Sequence, residues 1–104
     1  MSDTNTDLKD AIKRLATDVL RKEEMTVDDL REEPAEFSEL MVMIDDSGKP
    51  AIEFDLFGQT FLAKMDGIYT FNEVGEAFVV EEDFTKYLTS FLRFRSKAIR
   101  VFSV

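Results

Sequence analysis

The 104-residue chain contains no cysteine, no histidine and no tryptophan, and only two prolines and four glycines. Without cysteine there is no disulfide, no thiolate nucleophile and no cysteine metal ligand. Without histidine the side chain best suited to proton transfer at neutral pH, and the commonest zinc ligand, is missing as well. Most catalytic constellations are excluded by these two absences, and the chain is expected not to be an enzyme. A chain without thiols is equally at home in either redox compartment.

Long apolar runs are also missing. The longest, Leu40–Ile44, is five residues, against the roughly 20 needed to cross a bilayer. The N-terminal Met-Ser-Asp-Thr-Asn-Thr-Asp has no basic segment leading into an apolar one, so a secretory signal is not expected and the protein is read as cytoplasmic, with no membrane partner. GxGxxG and GxxxxGK[ST] motifs are absent, which leaves nucleotide binding without sequence support, and no cofactor is expected.

What the chain has in quantity is apolar residues and acid. It is 44% hydrophobic with ten phenylalanines and two tyrosines, enough to pack one interior at this length. Its formal charge is −9, spread unevenly. Residues 1–22 carry four acids and five bases, residues 23–83 carry 18 acids against Arg31, Lys49 and Lys64, and residues 84–104 carry Lys86, Arg93, Arg95, Lys97 and Arg100 with no acid. Charge informs association and solubility rather than fold, so a −15 block between near-neutral and basic ends points to a basic partner.

The spacing of apolar residues predicts an α+β fold. Leu8, Ala11, Ile12, Leu15, Ala16, Val19 and Leu20 recur at the intervals of a buried helical stripe beginning at Thr6 or Asp7, with residues 1–5 expected to be disordered. Asp10, Arg14, Asp18 and Lys22 follow at intervals of four with alternating sign, a pattern expected to face solvent. Thr26 and Asp29 form a capping-box pattern that opens a short helix over residues 27–33, ended by Pro34. A DNA-reading helix-turn-helix would carry bases on that second helix; this one carries Asp28, Asp29, Glu32 and Glu33, so direct nucleic-acid binding is not expected.

From Phe37 on the period changes to two, and every aromatic residue lies in this part. Strands are expected at residues 37–44 and around Ile52, Phe54 and Leu56, joined by the turn Asp45-Asp46-Ser47-Gly48-Lys49-Pro50. Residues 61–65 and 68–71 flank Asp66-Gly67, the pair favoured by a two-residue type I′ hairpin, and residues 77–80 make a further short strand. A helix over residues 83–95 follows, with Phe84, Tyr87, Leu88, Phe91 and Leu92 as its stripe, and residues 98–104 are expected to add a last strand. The predicted architecture is an N-terminal helix with a short second helix and a C-terminal helix, packed on an antiparallel sheet of four to five strands in a single domain over residues 1–104.

Several carboxylate groupings invite a metal or acid-base reading, and none is specific. Asp45-Asp46-Ser47-Gly48 lacks the alternating ligands and the closing glutamate of a calcium loop. Glu53 with Asp55, or Asp28 with Glu32, offers only two carboxylates, as ordinary solvated faces do. No metal site is expected.

The stretch over residues 23–39 differs in kind. It holds Glu23, Glu24, Asp28, Asp29, Glu32, Glu33, Glu36 and Glu39 against Arg31 alone, −7 in 17 residues. Like charges four apart on a helix cost a few tenths of a kcal/mol per pair, and the macrodipole does not offset this for Glu32 and Glu33 near the helix end. With about 1.5 Å rise per residue the acids from 28 to 33 present roughly one charge per 2 Å, against about one per 1.7 Å in duplex DNA. These residues, with Asp45 and Asp46, are the candidate contacts for a basic protein that itself binds DNA or RNA. In size and charge the chain resembles small acidic DNA-mimic inhibitors, many of them phage-encoded; the resemblance is one of composition and implies inhibition by electrostatic competition. A phage protein of this kind would act in the host cytoplasm.

An alternative reading is a small dimeric chaperone or assembly factor. The chain resembles type III secretion chaperones in being acidic, small and mixed α/β, which implies an apolar surface that grips an amphipathic partner segment. A homodimer is expected on either reading, because ten phenylalanines exceed what one small core covers. Arg93, Arg95, Lys97 and Arg100, interleaved with Phe94 and Phe102, are read as helix capping followed by an amphipathic edge strand in preference to a nucleic-acid stripe.

Overall fold

The computed structural model of the chain describes residues 4–102. Helix α1 spans Thr4–Glu23, α2 spans Val27–Leu30, and α3 spans Glu82–Phe102; between them lie β1 (Ala35–Phe37), β2 (Leu40–Ile44), β3 (Pro50–Leu56), β4 (Gln59–Lys64), β5 (Gly67–Phe71) and β6 (Ala77–Val79). The strands form one antiparallel meander in the order β1-β2-β3-β4-β5-β6, so the fold is α+β as the periodicity predicts, with one strand more than expected. Residues 1–3, part of the segment expected to be disordered, lie outside the described residues, and α1 already includes Thr4.

Period-two alternation gives the sheet two unlike faces. Phe37, Leu40, Phe54, Phe61, Thr70 and Phe78 oppose one another strand by strand and make an inner row that crosses all six strands. Beside it Ala35, Val42, Ile52, Ala63 and Ile68 form a second row, all five buried. The apolar stripe of α1 packs with these rows and is buried along its full length. Ring contacts bring α3 down on the sheet: Phe91 lies 5.6 Å from Phe54, and Phe84 meets Phe61 edge-on at 5.7 Å. The buried rings of Phe54 and Phe61 contribute about 1.5–3 kcal/mol each.

The two long helices lie side by side on the inner face. Their shared surface is completed by Leu88, Leu92 and Ile99 of α3, together with Thr85, Thr89 and Ser96. Those polar groups do not remain unsatisfied: the Thr85 hydroxyl donates to the Val80 and Glu81 carbonyls at 3.2 and 2.8 Å, and Thr89 donates to the Thr85 carbonyl at 2.7 Å. The Ser96 hydroxyl donates to the carboxylate of Asp18 on α1.

Four local expectations are corrected. Residues 98–102 continue α3 rather than forming a strand, because Ile99 falls seven residues after Leu92 and extends the buried stripe that begins at Leu88; residues 103 and 104 lie outside the described residues. The expected strand over residues 37–44 is a hairpin, β1 and β2, whose turn residues Ser38 and Glu39 both have positive φ, 48° and 69°. Between the paired Lys64 and Gly67 the loop residues are Met65 and Asp66, neither at positive φ, so Asp66-Gly67 is not the centre of a type I′ turn; the buried Met65 side chain anchors this turn in the core. Asp18, expected to face solvent in the charge ladder of α1, is buried beneath α3.

Other boundaries follow from recognisable chemistry. The capping box at Thr26 is complete, with Thr26 N–H donating to Asp29 Oδ2 at 2.8 Å and Asp29 N–H to Thr26 Oγ1 at 3.3 Å. The helix it opens is one turn long and gives way to turns before Pro34, shorter than the expected 27–33. In the β3–β4 hairpin Phe57 and Gly58 both occupy the left-handed region, at φ 56° and 72°; glycine is at ease there and phenylalanine is not.

Candidate interaction surface

The acidic residues singled out from sequence fall on three parts of the fold. Glu23 and Glu24 close α1, where Met25 N–H donates to the Leu20 carbonyl at 2.9 Å and Glu24 N–H to the Arg21 carbonyl at 3.3 Å. This is a Schellman ending, with Glu24 in the left-handed position (φ 56°) that glycine usually takes. Met25 packs against the core in the apolar position that follows.

Asp28, Asp29, Glu32 and Glu33 lie on α2 and the turn after it, all exposed, while Leu30 alone anchors the segment in the core. The Asp29 carboxylate serves the capping box. Asp28 has Arg31 Nη1 at 3.5 Å, a widely exposed pair worth little. Among the described residues no cation pairs with Glu32, Glu33, Glu36 or Glu39.

Glu36 and Glu39 belong to the β1–β2 hairpin. The turn is held from behind: Arg95 of α3 donates from Nη2 to the Ser38 carbonyl at 2.9 Å. Glu36 faces outward opposite Met41, and Met41 opposite Glu53. The result is an open recess of about 480 Å³ whose polar lining includes Glu36, Glu39, Glu53 and Asp55, with Met41 in its floor. Glu53 and Asp55, weighed from sequence only as a metal pair, thus join the acidic flank, and among the described residues no group of three or more acids is arranged to hold a metal ion.

Asp45 and Asp46 do not join it. They sit in the β2–β3 turn, at the end of β2 away from Glu39 and separated from it by the five residues of that strand, about 17 Å at 3.4 Å per residue. The Asp45 carboxylate accepts from Ser47 N–H, Ser47 Oγ and Lys49 N–H at 2.9, 2.6 and 3.1 Å. Partial burial raises its pKa, but these hydrogen bonds and the charge of Lys64 outweigh that and hold it below the usual aspartate value. Lys9, Lys49 and Lys64 line the adjoining recess, so this corner is not a negative surface.

The outer face of the sheet carries a row that runs Glu36, Met41, Glu53, Leu62, Tyr69, Val79. It changes from acidic to apolar as it crosses the sheet. Lys64 lies 5.6 Å from the Tyr69 ring centroid, and the Tyr69 hydroxyl donates to Asp66 at 3.2 Å. Partial burial, then this bond and the charge of Asp66, raise the tyrosine pKa.

A second exposed apolar surface lies on α3. Phe84, Tyr87, Phe91, Phe94, Ala98 and Val101 follow at alternating intervals of three and four, the spacing of a helix-packing seam. Tyr87, Phe94 and Val101 are 51%, 67% and 62% exposed, while Phe84, Phe91 and Ala98 between them are partly buried, so the outer half of the seam is uncovered. Phe57 stacks on Tyr87 at 6.1 Å and Tyr87 on Phe84 at 5.9 Å, extending the core aromatics to the surface.

Sequence reasoning singled out Arg93, Lys97 and Arg100 but not their convergence with Arg14 on one side of the helical layer. Arg14 of α1 and Arg93, Lys97 and Arg100 of α3 line one recess between the helices. The intervals 93, 97, 100 carry the signal once the segment is recognised as helix rather than strand. Comparison with protein-family models, with curated proteins and with solved structures finds no match to this chain.

Proposed function

We propose that this chain is a non-enzymatic interaction protein whose acidic flank, formed by the end of α1, α2, the β1–β2 hairpin and the outer edge of β3, binds a basic protein. The occupied groove on that partner is one that otherwise holds a nucleic-acid backbone, so binding inhibits by competition. The observation that carries this reading is backbone geometry: Glu24 and Glu39 hold carboxylates at φ 56° and 69°. Glycine or asparagine relieves such positions of about 1 kcal/mol. Two of the four non-glycine residues at positive φ among the described residues, the others being Ser38 and Phe57, are therefore acids of this flank, and acid kept there beside Glu32, Glu33 and Glu36 supports a recognition role for the charge.

Affinity capture from the native host at low and high salt tests the proposal. A basic nucleic-acid-binding protein should be retained at low salt and released at high salt, and D28K/E32K should abolish capture. Capture of a partner that is not basic, or capture that survives high salt unchanged, rules the proposal out.

The protein acts as a homodimer on this reading, with the α3 seam of Tyr87, Phe94 and Val101 as the contact. Two copies packed about a two-fold axis cover these exposed side chains against one another. F94K should convert the dimer to monomer in light scattering.

The outer sheet row favours a second reading. Met41, Leu62, Tyr69 and Val79 give an apolar strip that fits an amphipathic segment of a partner, as in a chaperone or assembly factor. Salt-insensitive capture lost in L62E would select this reading over electrostatic competition.

A further inference from the structure

The cations of the helical layer are placed against the trend of the molecule. In a chain with 22 acids and 13 bases, Arg14, Arg93, Lys97 and Arg100 converge with Ala11 and Ser96 on an open recess of about 300 Å³ between α1 and α3. A second recess of about 350 Å³ continues it along α1, sharing Arg14 and Arg100 and adding Lys13, Thr17, Arg21 and one acid, Asp18. Arg93 and Lys97 are four apart and Lys97 and Arg100 three apart on one helix face, so they repel by a few tenths of a kcal/mol per pair. Only Arg100 lies in the last turn, where the helix dipole offsets the repulsion.

Two of the guanidinium groups are held in place by carboxylates of α1. Arg100 Nε lies 3.5 Å from Asp18 Oδ2, and that buried carboxylate is itself bonded by the Ser96 hydroxyl. Arg14 Nε lies 2.8 Å from Asp10 Oδ2. Both contacts use Nε, and the terminal Nη groups of Arg14 and Arg100 make no hydrogen bond among the described residues. Arg93 and Lys97 have no ion-pair partner among the described residues. Four cations against the half-exposed Asp10 and the buried Asp18 leave a net charge of +2 before Lys13 and Arg21 are counted.

We infer that this inter-helical groove is an anion site for a diphosphate, free or esterified. Guanidinium forks bind pairs of phosphoryl oxygens in a planar, bidentate way that a monatomic anion cannot use, and a diphosphate carries more negative charge to this group of cations than a single carboxylate does. Two adjoining recesses that share Arg14 and Arg100 suit two linked phosphoryl groups better than one. The site is built entirely from the helical layer and is independent of the acidic flank, so failure of either proposal leaves the other standing.

Isothermal titration of the full chain with pyrophosphate, with ADP and with sulfate, at constant ionic strength, tests the site. Saturable binding of pyrophosphate or ADP, tighter than sulfate, should weaken at least about tenfold in R93A/K97A and remain unchanged in R31A. Tighter binding of ADP than of pyrophosphate identifies the esterified form, and equal binding the free one. Pyrophosphate and ADP binding no tighter than sulfate, or unaffected by R93A/K97A, overturns the inference. Should that variant fail to fold, the Nε–Hε resonances of Arg14 and Arg100 in the wild-type protein carry the test: they shift with pyrophosphate and not with sulfate if the site exists, and a lack of shift overturns it.

Discussion

The helical layer and the sheet with its flanking hairpin solve the same problem in opposite ways. Both must present charge to water over a shared aromatic interior. In the helical layer two acids serve the structure: Asp10 orients Arg14, and Asp18 is buried to bridge α1 and α3. On the sheet side acids are numerous and mostly serve no local structural end, since Glu32, Glu33, Glu36 and Glu39 stand exposed without cation partners among the described residues. The difference separates charge that builds the fold from charge that the fold merely displays, and only the second kind is free to serve recognition.

Phe54 joins the two layers, so its loss should have the largest effect. F54A removes a fully buried ring stacked between Phe61 and Phe91 and should cost about 3–5 kcal/mol in urea denaturation, whereas F94A on the exposed seam should change monomer stability by less than about 0.5 kcal/mol. Next comes D18A, expected to cost about 2 kcal/mol because the Ser96 hydroxyl loses its acceptor and Arg100 its partner. An equal cost for E36A, on the displaying side, would erase the distinction between the layers.

Substitution by glycine sharpens it further. E24G and E39G should each stabilise the protein by about 1 kcal/mol in the same assay, while weakening retention of the basic partner. Stability and binding would then move in opposite directions, as expected where charge is kept at a backbone cost.

The smallest effect concerns pH. The Asp45 pKa is lowered in the folded state, so its contribution is present above the unfolded aspartate value and is lost as pH falls through the lower folded value. D45N should therefore lower stability slightly at pH 7, and its difference from the wild type should shrink away as pH falls below about pH 4.

Much of this fold is legible in the residues, and the misreadings have physical causes. The α1 stripe, the Thr26 capping box and the alternation of Ile52, Phe54 and Leu56 each carry one strong local signal, and each forms as expected. Residues 98–102 read as strand because isoleucine, valine and phenylalanine suit one by propensity, while the packing of Ile99 against the core extends the helix. The β1–β2 turn was hidden because Ser38-Glu39 lacks the asparagine and glycine that mark a left-handed pair, and the Arg95 contact that supports it comes from 57 residues away. For the candidate surface, the run from Glu23 to Glu39 was visible as composition. Its union with Glu53 and Asp55, and the separation of Asp45 and Asp46 from it, depend on strand register, which a run of charges does not encode.

The central claim is that the displayed carboxylates, not the built-in ones, make the binding surface. It is tested most directly by the salt dependence of affinity for the basic partner, measured for the wild type, for E32K/E33K and for R93A/K97A. The account predicts a steep fall in affinity with salt for the wild type, a weaker complex with a shallower slope for E32K/E33K, and wild-type behaviour for R93A/K97A. A complex whose affinity ignores salt, or one that survives E32K/E33K and fails in R93A/K97A, would contradict it.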